Sequence, residues 1–120
     1  MRLRLHFGDR LMLGPGKADL LAGIRDTGSI SAAGRAMSMS YKRAWSLVED
    51  MNAAFGAPLV ISSRGGAQGG GAHLSETGEA VLAQYRTLEQ RALAAGSEQI
   101  EAIAALLGDM SEGKYRLPDQ

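Results

Sequence analysis

Residues 28–52 read GSISAAGRAMSMSYKRAWSLVEDMN. Two helical segments meet here across a very short turn. The first, over residues 29–37, is rich in small side chains, and Ser29 or Ser31 is placed to cap its N-terminus. SMS at 38–40 leaves room for little more than a bend. Ser40 then caps a longer helix that runs toward Gly56, and Pro58 forbids its continuation. A short helix, a tight turn and a longer helix spell a helix-turn-helix. At about 100° per residue, Ala44, Leu47, Val48, Met51 and Phe55 of the longer helix fall on one arc, which must be buried. Lys42 and Ser46 lie opposite, with Arg43 and Trp45 at the margins of that face.

The flanks fit this centre. Upstream, RLRLHF at 2–7 alternates, with Leu3, Leu5 and Phe7 on one side, and predicts a strand. Gly8-Asp9 makes a turn, RLML at 10–13 returns, and GPG at 14–16 breaks the chain. Lys17 to Thr27 predicts a first helix with Leu20, Leu21 and Ile24 as its buried stripe and Gly28 as its stop. Downstream, LVISS at 59–63 and AHLS at 72–75 can pair as a hairpin. From Ser75 or Glu76 to about Leu107 the pattern is helical, with Gly96-Ser97 as a place for a kink or a break. Val81, Leu82, Tyr85, Leu88 and Ala92 form one apolar stripe, and Ile100, Ile103 and Leu107 another.

The expected fold is therefore α+β and mainly helical. It is a winged helix-turn-helix with an N-terminal β-hairpin and a long C-terminal dimerisation helix. The core is expected over residues 1–75, the dimerisation helix over 76–110 and a tail over 111–120.

Between the two strands that follow the helix-turn-helix lies SRGGAQGGGAHLS at 63–75, with five glycines in thirteen residues. Its position makes it the tip of the wing. Glycines let backbone N–H groups approach a phosphate or a narrow minor groove, and Arg64 adds the positive charge such a groove attracts. A simple hairpin tip is the competing reading. A Walker phosphate loop does not fit, because the Gly-Lys-Ser/Thr ending is missing and a strand follows rather than a helix.

The 120 residues carry thirteen Lys/Arg and thirteen Asp/Glu, but the charge is unevenly spread. Residues 1–75 hold nine basic and five acidic side chains, and residues 76–120 hold four and eight. A basic front suits a face turned to a polyanion. There is no cysteine for a disulfide or a thiolate metal site. His6 and His73 are the only histidines, with no third ligand spaced for a metal, and no nucleophile–base set or Gly-x-Ser-x-Gly elbow occurs. An enzyme is not expected. Neither a signal peptide nor an apolar run long enough for a bilayer is visible, so a cytoplasmic protein with no membrane partner is expected.

In the first turn of the longer helix, Lys42 and Arg43 are suited to guanine O6 and N7 or to phosphate oxygens. The Tyr41 hydroxyl can reach a phosphate. Trp45 reads either as packing against the preceding turn or as an apolar wall of the same surface. The candidate DNA-binding set is Ser29, Ser31, Ser40, Tyr41, Lys42, Arg43 and Ser46 with Arg64, Gly65, Gly66, Gly69, Gly70, Gly71 and His73 of the wing. An apolar stripe on a long helix asks for a partner. Pairing of two copies through Leu20 of the first helix and Leu88, Ile100, Ile103 and Leu107 of the last would match palindromic half-sites on double-stranded DNA.

GSISAAGRAMSMSYKRAWSLVEDMN at 28–52, followed by RGGAQGGGAHLSETGEAVLAQY at 64–85, resembles the N-terminal domain of the ModE-type molybdate-responsive transcriptional regulators, which share the LysR-like winged helix. SYKRAW…MN combined with GGxxGGGAxLS carries the resemblance, which covers residues 2–95 by motif and order. It implies a DNA-binding dimer in which Ser40, Tyr41, Lys42, Arg43 and the wing from Arg64 to Gly71 face the operator. Full-length members of the family add oxyanion-binding domains. The chain reaches only Gln120, so no cofactor is expected in it. A molybdate response is expected only through a separate oxyanion-sensing protein or a missing sensor domain. Two other readings stay open on the residues: a winged-helix adaptor that docks proteins, and a small oxyanion binder that uses the glycine loop as a nest.

Overall fold

The computed structural model describes residues 2–63 and 71–108. Eight elements follow in the order β1 (Leu5–Phe7), β2 (Leu11–Leu13), α1 (Pro15–Thr27), α2 (Ile30–Ala36), α3 (Tyr41–Ala54), β3 (Val60–Ser63), β4 (Gly71–Leu74) and α4 (Glu76–Ala105). The chain is mainly helical, with two small antiparallel hairpins, β1–β2 and β3–β4. This is the expected α+β winged helix-turn-helix. α1 begins two residues before the expected Lys17, because Pro15, with its fixed φ, takes the first helical position. Gly96-Ser97 does not split α4, which runs unbroken through both residues.

Polar side chains set where each helix begins. The Ser29 hydroxyl accepts from the Ala32 N–H at 3.0 Å and so caps α2, which decides between the two expected serines. The Ser40 hydroxyl accepts from the Arg43 N–H at 3.0 Å, and the Ser75 hydroxyl from the Gly78 N–H at 3.0 Å. Such caps are worth about 1 kcal/mol each. The turn between α2 and α3 closes when the Met39 N–H donates to the Gly34 carbonyl at 3.0 Å, with Ser38 at φ +60°.

One core joins these elements. Leu13, Leu20, Leu21, Ile24, Val48, Met51, Leu59, Leu82 and Tyr85 are buried in it. α1 packs on α2, and α2 on α3. The second contact is close: a Cβ added at Gly34 would stand 2.9 Å from the Ala44 Cβ. A larger residue there would push α3 away from the turn that aims it. The N-terminal hairpin is tied down at two points. The Tyr85 hydroxyl donates to the Leu3 carbonyl at 2.5 Å, and Arg10 Nη2 donates to the Ala54 carbonyl at 2.9 Å, at the last turn of α3.

Leu20 is corrected by this packing. Expected at a dimer contact, it is wholly buried. It belongs to the same inward stripe as Leu21 and Ile24, so it has no surface to offer a partner. No helix among the described residues is long and apolar enough to cross a membrane.

Candidate nucleic-acid interface

α3 presents two faces. Ala44, Leu47, Val48 and Met51 are buried, while Tyr41, Lys42, Arg43 and Ser46 are exposed along with the capping residue Ser40. The split follows from the 3.6-residue period: the buried four hold the helix to the core, which leaves its first turn standing clear of it. Neither Lys42 nor Arg43 forms a salt bridge with another described residue; the pairs found are Arg25–Asp26, Arg86–Asp19 and Arg86–Glu89. The two cations are thus available to an external anion. Glu49 and Asp50, also exposed, come two turns later. The exposed face is therefore positive at its N-terminal end and negative toward its middle, and the helix dipole adds to the positive end.

Trp45 is half-buried against the core, in keeping with packing, but it also touches the exposed surface. Tyr41 lies over it with ring centroids 6.4 Å apart and planes 14° from parallel. On α2, the Ser29 hydroxyl oxygen is taken up by its cap, and the half-buried Ser31 accepts a hydrogen bond from Arg35 Nη1 at 2.6 Å. Arg35 is exposed. Sequence reasoning passed over it, although it is the only cation on α2.

The wing is β3 and β4, paired so that Val60 faces Leu74, Ile61 faces His73, Ser62 faces Ala72 and Ser63 faces Gly71. Period two puts Ala72 and Leu74 on the core side and leaves His73 exposed across from Ile61, itself 40% exposed. Gly71 opens β4. Arg64, Gly65, Gly66, Gly69 and Gly70 lie outside the described residues.

What fixes the wing relative to α3 is a residue the sequence reading gave no role. Asn52 Oδ1 accepts from the Leu59 N–H at 2.8 Å and the Val60 N–H at 3.1 Å, while its Nδ2 donates to the Val60 carbonyl at 3.1 Å. One amide thus satisfies three backbone groups at the entry to β3. At the same base of the wing, on its return strand, the Ser75 hydroxyl donates to the Pro58 carbonyl at 2.6 Å, and the Ser75 N–H to the Leu59 carbonyl at 2.9 Å. The Ala72 N–H donates to the Gly28 carbonyl at 2.9 Å, which ties β4 to the end of α1. The signal for Asn52 was in the sequence, as a lone amide one residue past the last buried position of α3.

Among the described residues, hollows lie apart from the first turn of α3 and from the wing. A cavity of about 360 Å³ is lined by Arg10, Lys17 and Asp50 among others. An apolar groove of about 280 Å³ runs between the N-terminal hairpin and α4, past Leu5, Phe7, Val81, Tyr85 and Leu88.

An exposed helix with a basic first turn, clamped to a two-stranded wing, defines a winged helix-turn-helix. No family model matches the chain. Individual relatives do. The chain is 47% identical over 77 residues to the molybdenum-pterin-binding protein MopB of Rhodobacter capsulatus, covering 64% of this chain and 28% of that protein. It is 40% identical over 87 residues to the molybdenum transport protein ModE of Azotobacter vinelandii, covering 70% and 32%. It is 36% identical over 112 residues to the transcriptional regulator ModE of Yersinia pestis, covering 91% and 43%. The chain is thus a winged helix-turn-helix relative of the ModE-type regulators, as the motifs in residues 28–85 led us to expect. It spans less than half the length of these relatives. They carry the names of regulators, a transport protein and a molybdenum-pterin-binding protein rather than of enzymes.

Proposed function

We propose that this chain binds double-stranded DNA and regulates transcription, most directly of genes for molybdenum uptake or use. The observation that carries this reading is the free basic first turn of α3, where Lys42 and Arg43 stand exposed with no ion-pair partner among the described residues. In this reading α3 enters the major groove by its N-terminus, Lys42 and Arg43 meet base edges or phosphates, and Ser40 and Ser46 add hydrogen bonds. Arg35 reaches the backbone from α2. The wing, through Arg64, the glycines around it and His73, touches the flanking phosphates or minor groove. Asn52 and Ser75 act through geometry, by holding the wing at a fixed angle to α3. The names of the relatives support both the DNA and the molybdenum parts of the proposal.

The unit binds as a two-fold dimer joined through the second half of α4 and the turn that follows it, where Ile103 is 64% exposed, Leu106 86% and Leu107 39%. Oxyanion sensing is assigned to another domain or another protein. The polar cavity near α3 suits an anion poorly, because Asp50 lines it and Arg10 is engaged with the Ala54 carbonyl.

The test is affinity for duplex DNA from the region upstream of the protein's own gene. Lys42→Ala and Arg43→Ala should each weaken binding by about 1–3 kcal/mol where the contact is to a base. Unchanged affinity in both variants would remove α3 as the reading helix.

A further inference from the structure

The exposed turn of α3 carries more than charge. Tyr41 is its first residue and is 58% exposed, with its ring stacked on Trp45, the only tryptophan in the chain. The two residues are four apart, so they lie one above the other on the helix surface. Trp45 is half-buried and packed against the core, which anchors the lower ring. The upper ring is held by that contact, within the offset geometry that aromatic pairs prefer. The result is a fixed apolar step beside Lys42 and Ser46.

Among the base edges in the major groove, thymine alone presents a methyl group. Lys42 and Arg43 donate to acceptors such as guanine O6 and N7 or thymine O4, and have nothing with which to sense the thymine methyl. We propose that the Tyr41–Trp45 stack reads thymine through its 5-methyl group. Tyr41 makes the contact and Trp45 is the positioning residue. This rests on the reading that α3 enters the major groove. It differs from a phosphate contact by the Tyr41 hydroxyl, because it uses the ring and not the oxygen.

The experiment starts from a duplex selected out of a random library by the wild-type chain. Each thymine is then replaced singly by uracil, which removes the methyl and leaves base pairing intact, and binding is followed by fluorescence anisotropy. Burial of one methyl group corresponds to about fourfold in affinity, so at least one replacement should weaken wild-type binding by that factor. In Tyr41→Ala the same replacement should have no effect, while Tyr41→Phe should keep the full fourfold ratio. Trp45→Leu should lose the thymine–uracil ratio without changing the salt dependence, and Trp45→Phe should restore it. Tight binding that tolerates uracil at every position overturns the proposal and leaves DNA binding intact. So does a selected site with no thymine. A Tyr41→Phe variant weakened equally on all duplexes would assign the contact to the hydroxyl and overturn it too. No binding to any duplex would remove both this proposal and the reading beneath it.

Discussion

Tyr85 and Ile103 occupy the same angular position on α4, eighteen residues and therefore five turns apart. Tyr85 is 2% exposed and Ile103 is 64% exposed. The first half of the helix lies on the domain, with Leu82 and Tyr85 in the core and Val81 packed at its edge. Beyond Glu89 the same face goes on uncovered to Ile103, with Leu93 exposed at its margin and Leu107 just past the helix end. The two stripes expected from sequence are one stripe with two environments. Periodicity says which face of a helix is apolar. It does not say what covers that face, since the cover comes from elements distant in sequence, or from another molecule.

The sharpest way to break this comparison is to shave one side chain in each half. Leu82→Ala should destabilise the chain by about 2–5 kcal/mol in a denaturant titration, the range for a large-to-small change in a core. Ile103→Ala should stay within about 0.5 kcal/mol when measured at a concentration where the chain is monomeric. Equal effects would mean that the second half is covered within the chain itself.

The next effect concerns how closely α4 approaches the wing. A Cβ at Gly78 would stand 2.2 Å from the Leu59 carbonyl oxygen, which is backbone and cannot swing aside. Gly78→Ala should cost about 1–3 kcal/mol of stability by overpacking. Gly96→Ala, with only the tip of Ile100 nearby at 3.9 Å, should be neutral or stabilising, as expected for a glycine inside a helix.

Asn52→Ala should cost a similar amount, about 1–3 kcal/mol, because it leaves backbone groups at the start of β3 without partners. It should also weaken DNA binding by more than its stability loss explains, if binding is compared at a temperature where the variant is folded, since the wing loses its fixed angle to α3.

Tyr85→Phe is smaller, about 1 kcal/mol, for the lost hydrogen bond to Leu3. Burial, helped by Glu89, pushes the Tyr85 phenol above its ordinary value of 10.0. The folded state therefore holds this proton more tightly than the unfolded one. Its contribution is complete below the unfolded value and is lost as pH rises through the folded one. Wild-type stability should decline above about pH 10, and Tyr85→Phe should flatten that part of the curve. The smallest effect on folding belongs to the double variant Ile100→Glu, Ile103→Glu. It should leave monomer stability nearly unchanged and abolish self-association in a sizing experiment. A dimer that survives it would place the interface elsewhere.

The local elements were legible because each carries its own signal: serine caps at 29, 40 and 75, the Gly28 stop of α1, the alternation in β1, and the arc from Ala44 to Met51. The exposed set on α3 followed from the same arc. Contacts between distant parts of the chain were not legible. Nothing local tells that Arg10 reaches the end of α3 or that the Tyr85 hydroxyl holds the carbonyl of Leu3. Leu20 shows the converse error. Its place in the buried stripe was visible, and assigning it to a dimer contact as well asked one side chain to face two ways.

The central claim is that the basic turn of α3 meets the DNA backbone and bases. Its most direct test is fluorescence anisotropy with DNA from the gene's own upstream region, at two salt concentrations, with and without molybdate. The account predicts binding at low salt that falls steeply as salt rises, by on the order of a thousandfold from 50 to 200 mM where six or more phosphates are contacted, and no response to molybdate. Absence of binding at low salt, even to random duplex, would contradict it.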